Sequence, residues 1–211
     1  ALALAATGCA LAPGASGPGP DAVARGTDLP LPPPGHGTLH QDDVSISMRS
    51  GPLQIKVTPL VESVLRATAP DTYRRLRSLA EAHGAEAART SGGSDPYLFL
   101  VSFFSDDPGV TFAPEELSVV SRGLRLRPGA IVPVTPGWGE QRLAQRETEM
   151  AIYAFLGEVY LQSELVVRYG SVESSEWNVI GPRVRAELER ARARAGTPGA
   201  QSSRSYLEIL R

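Results

Sequence analysis

From residue 44 onward the chain alternates. Val44, Ile46 and Met48 are separated by Ser45, Ser47 and Arg49, and beyond Ser50-Gly51-Pro52 the residues Leu53, Ile55 and Val57 are separated by Gln54 and Lys56. A period of two gives each run one apolar and one polar face, which predicts two half-exposed strands joined by a tight turn. From Thr68 the period lengthens. Tyr73, Leu76, Leu79, Ala80 and His83 recur at helical spacing, with Thr68 as N-cap, Pro70 in the first turn and Gly84 as the stop. That spacing predicts a helix over 70–83 with His83 beside its last carbonyls, and a small, polar surface loop over 85–95.

The run Tyr97-Leu98-Phe99-Leu100-Val101-Ser102-Phe103-Phe104 is apolar on both alternating faces, the pattern of a strand buried on two sides and hence of the centre of a core. Ser105-Asp106-Asp107-Pro108-Gly109 is a turn. Further strands are predicted over 117–120, over 124–126 after an Arg122-Gly123 hairpin, over 131–134 as an edge limited by Pro133, and over 150–155 and 165–169. A second helix is predicted over 181–195, with Pro182 in its first turn and a stripe of Val184, Leu188, Ala191 and Ala195 ending at Gly196. Seven to eight strands with Pro and Gly turns predict a mainly β chain, an antiparallel β-sandwich over 40–195 with one inserted and one C-terminal helix.

Residues 10–37, rich in Pro, Gly and Ala, cannot supply a core. Residues 1–9 read as a truncated signal peptide, 10–39 as a Pro- and Gly-rich linker, and 196–211 as a loose tail. Fully extended, the linker would reach on the order of 90 Å. Cys9 is the only cysteine, which excludes an intramolecular disulfide, and a formal charge of -2 gives no global field for nucleic acid.

Ala6-Thr7-Gly8-Cys9 resembles the lipobox of bacterial lipoproteins. The resemblance implies that Cys9 is acylated, becomes the mature N-terminus and holds the chain on the extracytoplasmic side of the cell envelope, at the outer membrane if the host has one, because Ala10 follows it. Two acyl chains give stable anchoring to a bilayer. The alternative is cleavage after Ala10 or Ala12 and secretion. Farther on, Phe112-Ala113-Pro114, Arg122-Gly123, Arg127-Pro128, Ile152-Tyr153-Ala154-Phe155 and Val166-Val167-Arg168-Tyr169 resemble the immunoglobulin-like sandwiches of small bacterial lipoproteins. That resemblance implies an extracytoplasmic binding or structural module and carries no catalytic residues.

Candidate chemistry is sparse. Trp138, between Gly137 and Gly139, is either a lid over one end of the core or an exposed anchor for a partner. Arg183, Arg190 and Arg194, with Arg185 and Arg192, load one helix with positive charge, either as a solvated face or as a contact for an acidic envelope partner or anionic headgroups. His36, His40, Asp42 and Asp43 could gather round a metal, and Asp106, Asp107, Glu115 and Glu116 round Ca²⁺. No histidine sits in a nucleophile motif, and no cofactor is expected. The leading reading is therefore a non-catalytic, lipid-anchored binding or scaffolding module. The alternatives are a metal-dependent hydrolase at His36 to Asp43, and a carbohydrate-binding sandwich using Trp138 and Tyr160.

Overall fold

The computed structural model describes residues 30–93 and 95–196. The first alternating runs form a hairpin, β1 (Ile46–Ser50) and β2 (Leu53–Pro59), turned by Gly51 at φ +59. A single-turn helix, α1 (Glu62–Leu65), leads to α2 (Pro70–Ser91) and then to the long strand β3 (Tyr97–Ser105). There follow β4 (Val110–Thr111), β5 (Leu117–Ser121), β6 (Leu124–Leu126), β7 (Pro128–Pro133), β8 (Arg142–Leu143), β9 (Glu147–Phe155), β10 (Leu165–Tyr169), β11 (Val172–Ser174) and the closing helix α3 (Trp177–Gly196).

Among the described residues all sheet pairings are antiparallel. One sheet has the order β1-β2-β3-β9-β7, a second β11-β10-β5-β6, and β4 pairs only with β8. The chain is thus mainly antiparallel β with an inserted and a C-terminal helix. β3 sits in the middle of the larger sheet, with one face covered along its length and the other covered over the end that carries Leu98 and Leu100. On one side Phe99, Val101 and Phe103 join Leu117, Val119, Leu165 and Val167 of the smaller sheet in one core. On the other side Leu100 joins Tyr73, Leu76 and Ala87 of α2 with Ile152, Ala154 and Val132. Two-sided apolar alternation needs two covering layers, and here one is a sheet and the other a helix.

The inserted helix departs from the expected 70–83. It continues through Gly84 to Ser91, so most of the expected loop is helical, and it stops at Gly92, whose φ of +76 lies in the left-handed region. Alanines at 85, 87 and 88 favour continuation. Gly84 serves closeness instead of termination: a Cβ there would meet Leu98 Cδ1 at 3.3 Å. Thr68 is not the N-cap, because its hydroxyl donates to the Leu65 carbonyl at 2.7 Å and Ala69 precedes the helix. His83 consequently lies mid-helix, away from the last carbonyls.

The C-terminal helix likewise starts earlier than expected, at Trp177, whose indole N–H donates to the Leu161 carbonyl at 2.8 Å. Pro182 lies inside it. The carbonyl that a residue with an N–H would have bonded is that of Asn178, an exposed residue that water can serve. The strand expected over 131–134 is β7, an edge as Pro133 requires. Two tyrosines pin the crossing between the sheets: Tyr153 donates to the Pro114 carbonyl at 3.0 Å, and Tyr169 Oη accepts the Ala113 N–H at 2.8 Å. Burial first, then the charge of Glu115, pushes the Tyr153 hydroxyl well above the ordinary phenol range. Among the described residues no helix is long and apolar enough to cross a membrane.

Candidate functional site

Cys9 lies outside the described residues. Trp138 does not: it is 6% exposed, with ring centroids 5.1 Å from Phe112, 5.7 Å from Phe103 and 6.2 Å from Tyr153. It closes one end of the core, the lid of its two readings, and leaves little of the ring open to a partner. Tyr160 lies under the Arg122 guanidinium, 3.3 Å from its centroid, so the pair Trp138 and Tyr160 offers no shared aromatic platform. The candidate metal cluster is also dispersed. His40 N–H donates to Asp43 Oδ2 at 2.9 Å, Asp43 Oδ1 faces Arg183 at 3.4 Å, Asp42 takes Lys56 at 2.6 Å, and His36 contributes its carbonyl to Arg194. Among the described residues no three His, Cys, Asp or Glu gather where they could hold a metal ion, the group from Asp106 to Glu116 included.

Arg192 and Arg194 of α3 reach the chain's own N-terminal side. Residues 30–39, expected as the end of a tether, lie as a strap against the body. Leu39 N–H donates to the Ala67 carbonyl at 3.1 Å, and Ala69 N–H to the Leu39 carbonyl at 2.8 Å. Arg66 Nη1 holds the Pro32 carbonyl and Arg192 Nε the Pro30 carbonyl, each at 2.8 Å. Arg194 clasps the His36 carbonyl with Nε and Nη2 at 2.9 and 2.6 Å. These carbonyls have no ladder partner, so the guanidinium groups supply the donors that their position requires.

Glu187 is the centre of this clasp. It is only 1% exposed, and it accepts the Thr38 hydroxyl at 2.8 Å, Arg190 Nη1 at 2.9 Å and Arg194 Nη2. Arg190 and Arg194 are thus paired within the chain, and Arg183 with Asp43, while the side chains of all three stay 41–63% exposed. Burial acts to raise the Glu187 carboxyl pKa, but the hydrogen bonds from Thr38 and Arg194, with the arginine charges, outweigh it and hold the group below the usual carboxylate range. A depressed folded-state pKa contributes stability that is full above the ordinary carboxylate value and is lost as pH falls through the folded value. Cleavage of residues 30–39 by an acid-active protease should therefore accelerate only below the ordinary carboxylate range. Acceleration near neutrality would contradict this linkage.

Gly37 fixes how closely the strap approaches. A Cβ there would fall 2.2 Å from the Ala67 carbonyl carbon, a backbone atom that cannot step aside. Gly37→Ala is expected to undock the strap and destabilise the protein by about 1–3 kcal/mol, measured as a lower denaturation midpoint with faster cleavage in the strap.

The remaining feature is an open cleft. α2 covers β7, β9 and one end of β3, and leaves the outer face of β1, β2 and the other end of β3 bare. A cleft of about 470 Å³ lies there, within the size range of small-ligand sites. The register builds it from two cross-strand rows. Arg49, Gln54, Phe104 and Thr148 follow one another across β1, β2, β3 and β9, and Ser47, Lys56 and Ser102 form the parallel row. Glu176 closes the rim by accepting the Ser47 N–H at 2.7 Å, a carboxylate capping the open edge of β1. Comparison of the chain with known protein families, characterised proteins and solved structures finds no match.

Proposed function

We propose that the chain is a non-catalytic, membrane-anchored lipoprotein whose antiparallel β domain serves as an extracytoplasmic binding or scaffolding module. The observation that carries this reading is the placement of the single thiol, after Ala6-Thr7-Gly8 and ahead of a Pro- and Gly-rich stretch whose far end is clasped to the folded body. Two acyl chains on Cys9 would anchor the chain to the bilayer, in the outer membrane if the host has one. The strap would join that anchor to a fixed point on α3. Tethering raises the effective concentration of the body at the membrane, so modest contacts with an envelope partner suffice. Kinship with immunoglobulin-like sandwiches belongs to the same proposal. Two antiparallel sheets facing one core support it, and a helix over the outer face is an addition to the plain form.

The test is metabolic labelling of producing cells with an alkynyl fatty acid, comparing the natural chain with Cys9→Ser. Label on the first and none on the second is expected. Equal absence of label from both would remove the anchor, leaving a secreted module.

A further inference from the structure

We infer that the cleft on the outer face of β1, β2 and β3 binds a neutral saccharide of two to three rings, a ligand class that rests on the binding-module reading above. Its lining is close to charge-neutral. Lys56 is already matched by Asp42 at 2.6 Å, and Glu176 is spent on the edge of β1, so Arg49 is the cation left to a ligand. Two cations, one of them already held by a carboxylate and both facing a second carboxylate on the rim, do not make a phosphate or polycarboxylate site, which calls for several converging donors of positive charge.

What the cleft does offer is an aromatic face ringed by uncharged donors and acceptors. Phe104 is half-buried at the middle of its row, between the Gln54 amide and the Thr148 hydroxyl, with the Ser102 hydroxyl in the adjacent row. The Gln54 amide has one long contact, to Asp106 at 3.4 Å, which leaves its carbonyl and second N–H for a ligand. A pyranose has an apolar C–H face that can lie on Phe104 and equatorial hydroxyls that both donate and accept. Amides and hydroxyls match that duality.

The dimensions agree. Four strands at about 4.8 Å spacing give a row of roughly 15 Å, and two residues along a strand separate the rows by about 7 Å. That is the footprint of two to three sugar rings lying across the strands. An extended peptide added to β1 is the competing occupant, and Glu176 disfavours it because it already holds the Ser47 N–H that such a strand would need.

The experiment is amide-resolved NMR titration of the full chain carrying Cys9→Ser with cellotriose, maltotriose, mannotriose and chitotriose. At least one should bind at millimolar concentration or better and shift amides of β1, β2 and the Ser102 to Phe104 end of β3. Phe104→Ala should weaken that binding at least tenfold, and the exposed Thr148→Ala severalfold with the denaturation midpoint unchanged. Absence of binding by all four, binding indifferent to both substitutions, or shifts confined to the edge amides of β1 on adding an extended peptide would overturn the inference. The sugar should be recovered intact by mass spectrometry. Cleaved sugar with the same shifts would keep the site and overturn the non-catalytic reading, so the two failures are told apart.

Discussion

Replacing Arg190 and Arg194 together by alanine should lower stability by about 3 kcal/mol, because it leaves a carboxylate buried with its cations gone. The two guanidinium groups are themselves largely in water, with side chains 63% and 41% exposed, whereas that of Glu187 is 1% exposed. The burden of burial therefore falls on the acid. Removing the arginines strands a charge, while removing the acid releases two cations that water accepts. Glu187→Gln alone should accordingly cost less, about 1–2 kcal/mol for weakened charged hydrogen bonds. Adding Glu187→Gln to the double variant should restore part of the loss. Denaturant unfolding of the three variants checks the order, with cleavage between residues 30 and 39 reporting the strap. A triple variant less stable than the double would contradict the assignment of Glu187 as the buried partner.

The second large effect concerns β3. Phe103→Ala should cost about 3–5 kcal/mol, and Leu100→Ala about 2–5 kcal/mol. The two residues lie on opposite faces of one strand and are 0% and 1% exposed. Phe103 stacks on Phe112 at 4.6 Å and meets Tyr169 of the smaller sheet at 5.6 Å, so its loss opens a cavity between the sheets. Leu100 packs with Leu76 and Ile152, so its loss loosens α2 from the larger sheet. Leu124→Ala, at a residue 69% exposed, should change stability by less than about 0.5 kcal/mol. In a two-layer sandwich with a wet outer face only the Phe103 change would be costly. Equal and large losses at both sites distinguish the three-layer arrangement.

The alternation of residues 97–104 was enough to place a strand under two layers, but not to say what the second layer is. The answer was present in separate pieces. Tyr73, Leu76, Leu79 and Ala80 form an apolar stripe that needs a partner, and Leu98 and Leu100 form a face that needs a cover. Joining them takes long-range register, which no local period contains. Gly84 misled because a glycine that permits close packing reads the same as one that ends a helix.

Glu187 had a visible sign. It falls at helical spacing with Val184, Leu188 and Ala191, a charge on the stripe that is buried, and a carboxylate on a core stripe calls for cations nearby. The strap carried no such sign. Its contacts use backbone carbonyls of a Pro-rich segment, whose composition alone reads as a tether. The cleft was half legible: Ser47, Arg49, Gln54 and Lys56 alternate outward, yet Phe104 and Thr148 join them only through the pairing of β2, β3 and β9.

Native-state hydrogen exchange is the most direct test that β3 is the covered centre of the molecule. The amides of Phe99 to Phe103 should exchange only through global unfolding, with the same denaturant dependence as the unfolding transition. Exchange of those amides at the rate of the exposed turn at Asp106 and Asp107 would contradict the account.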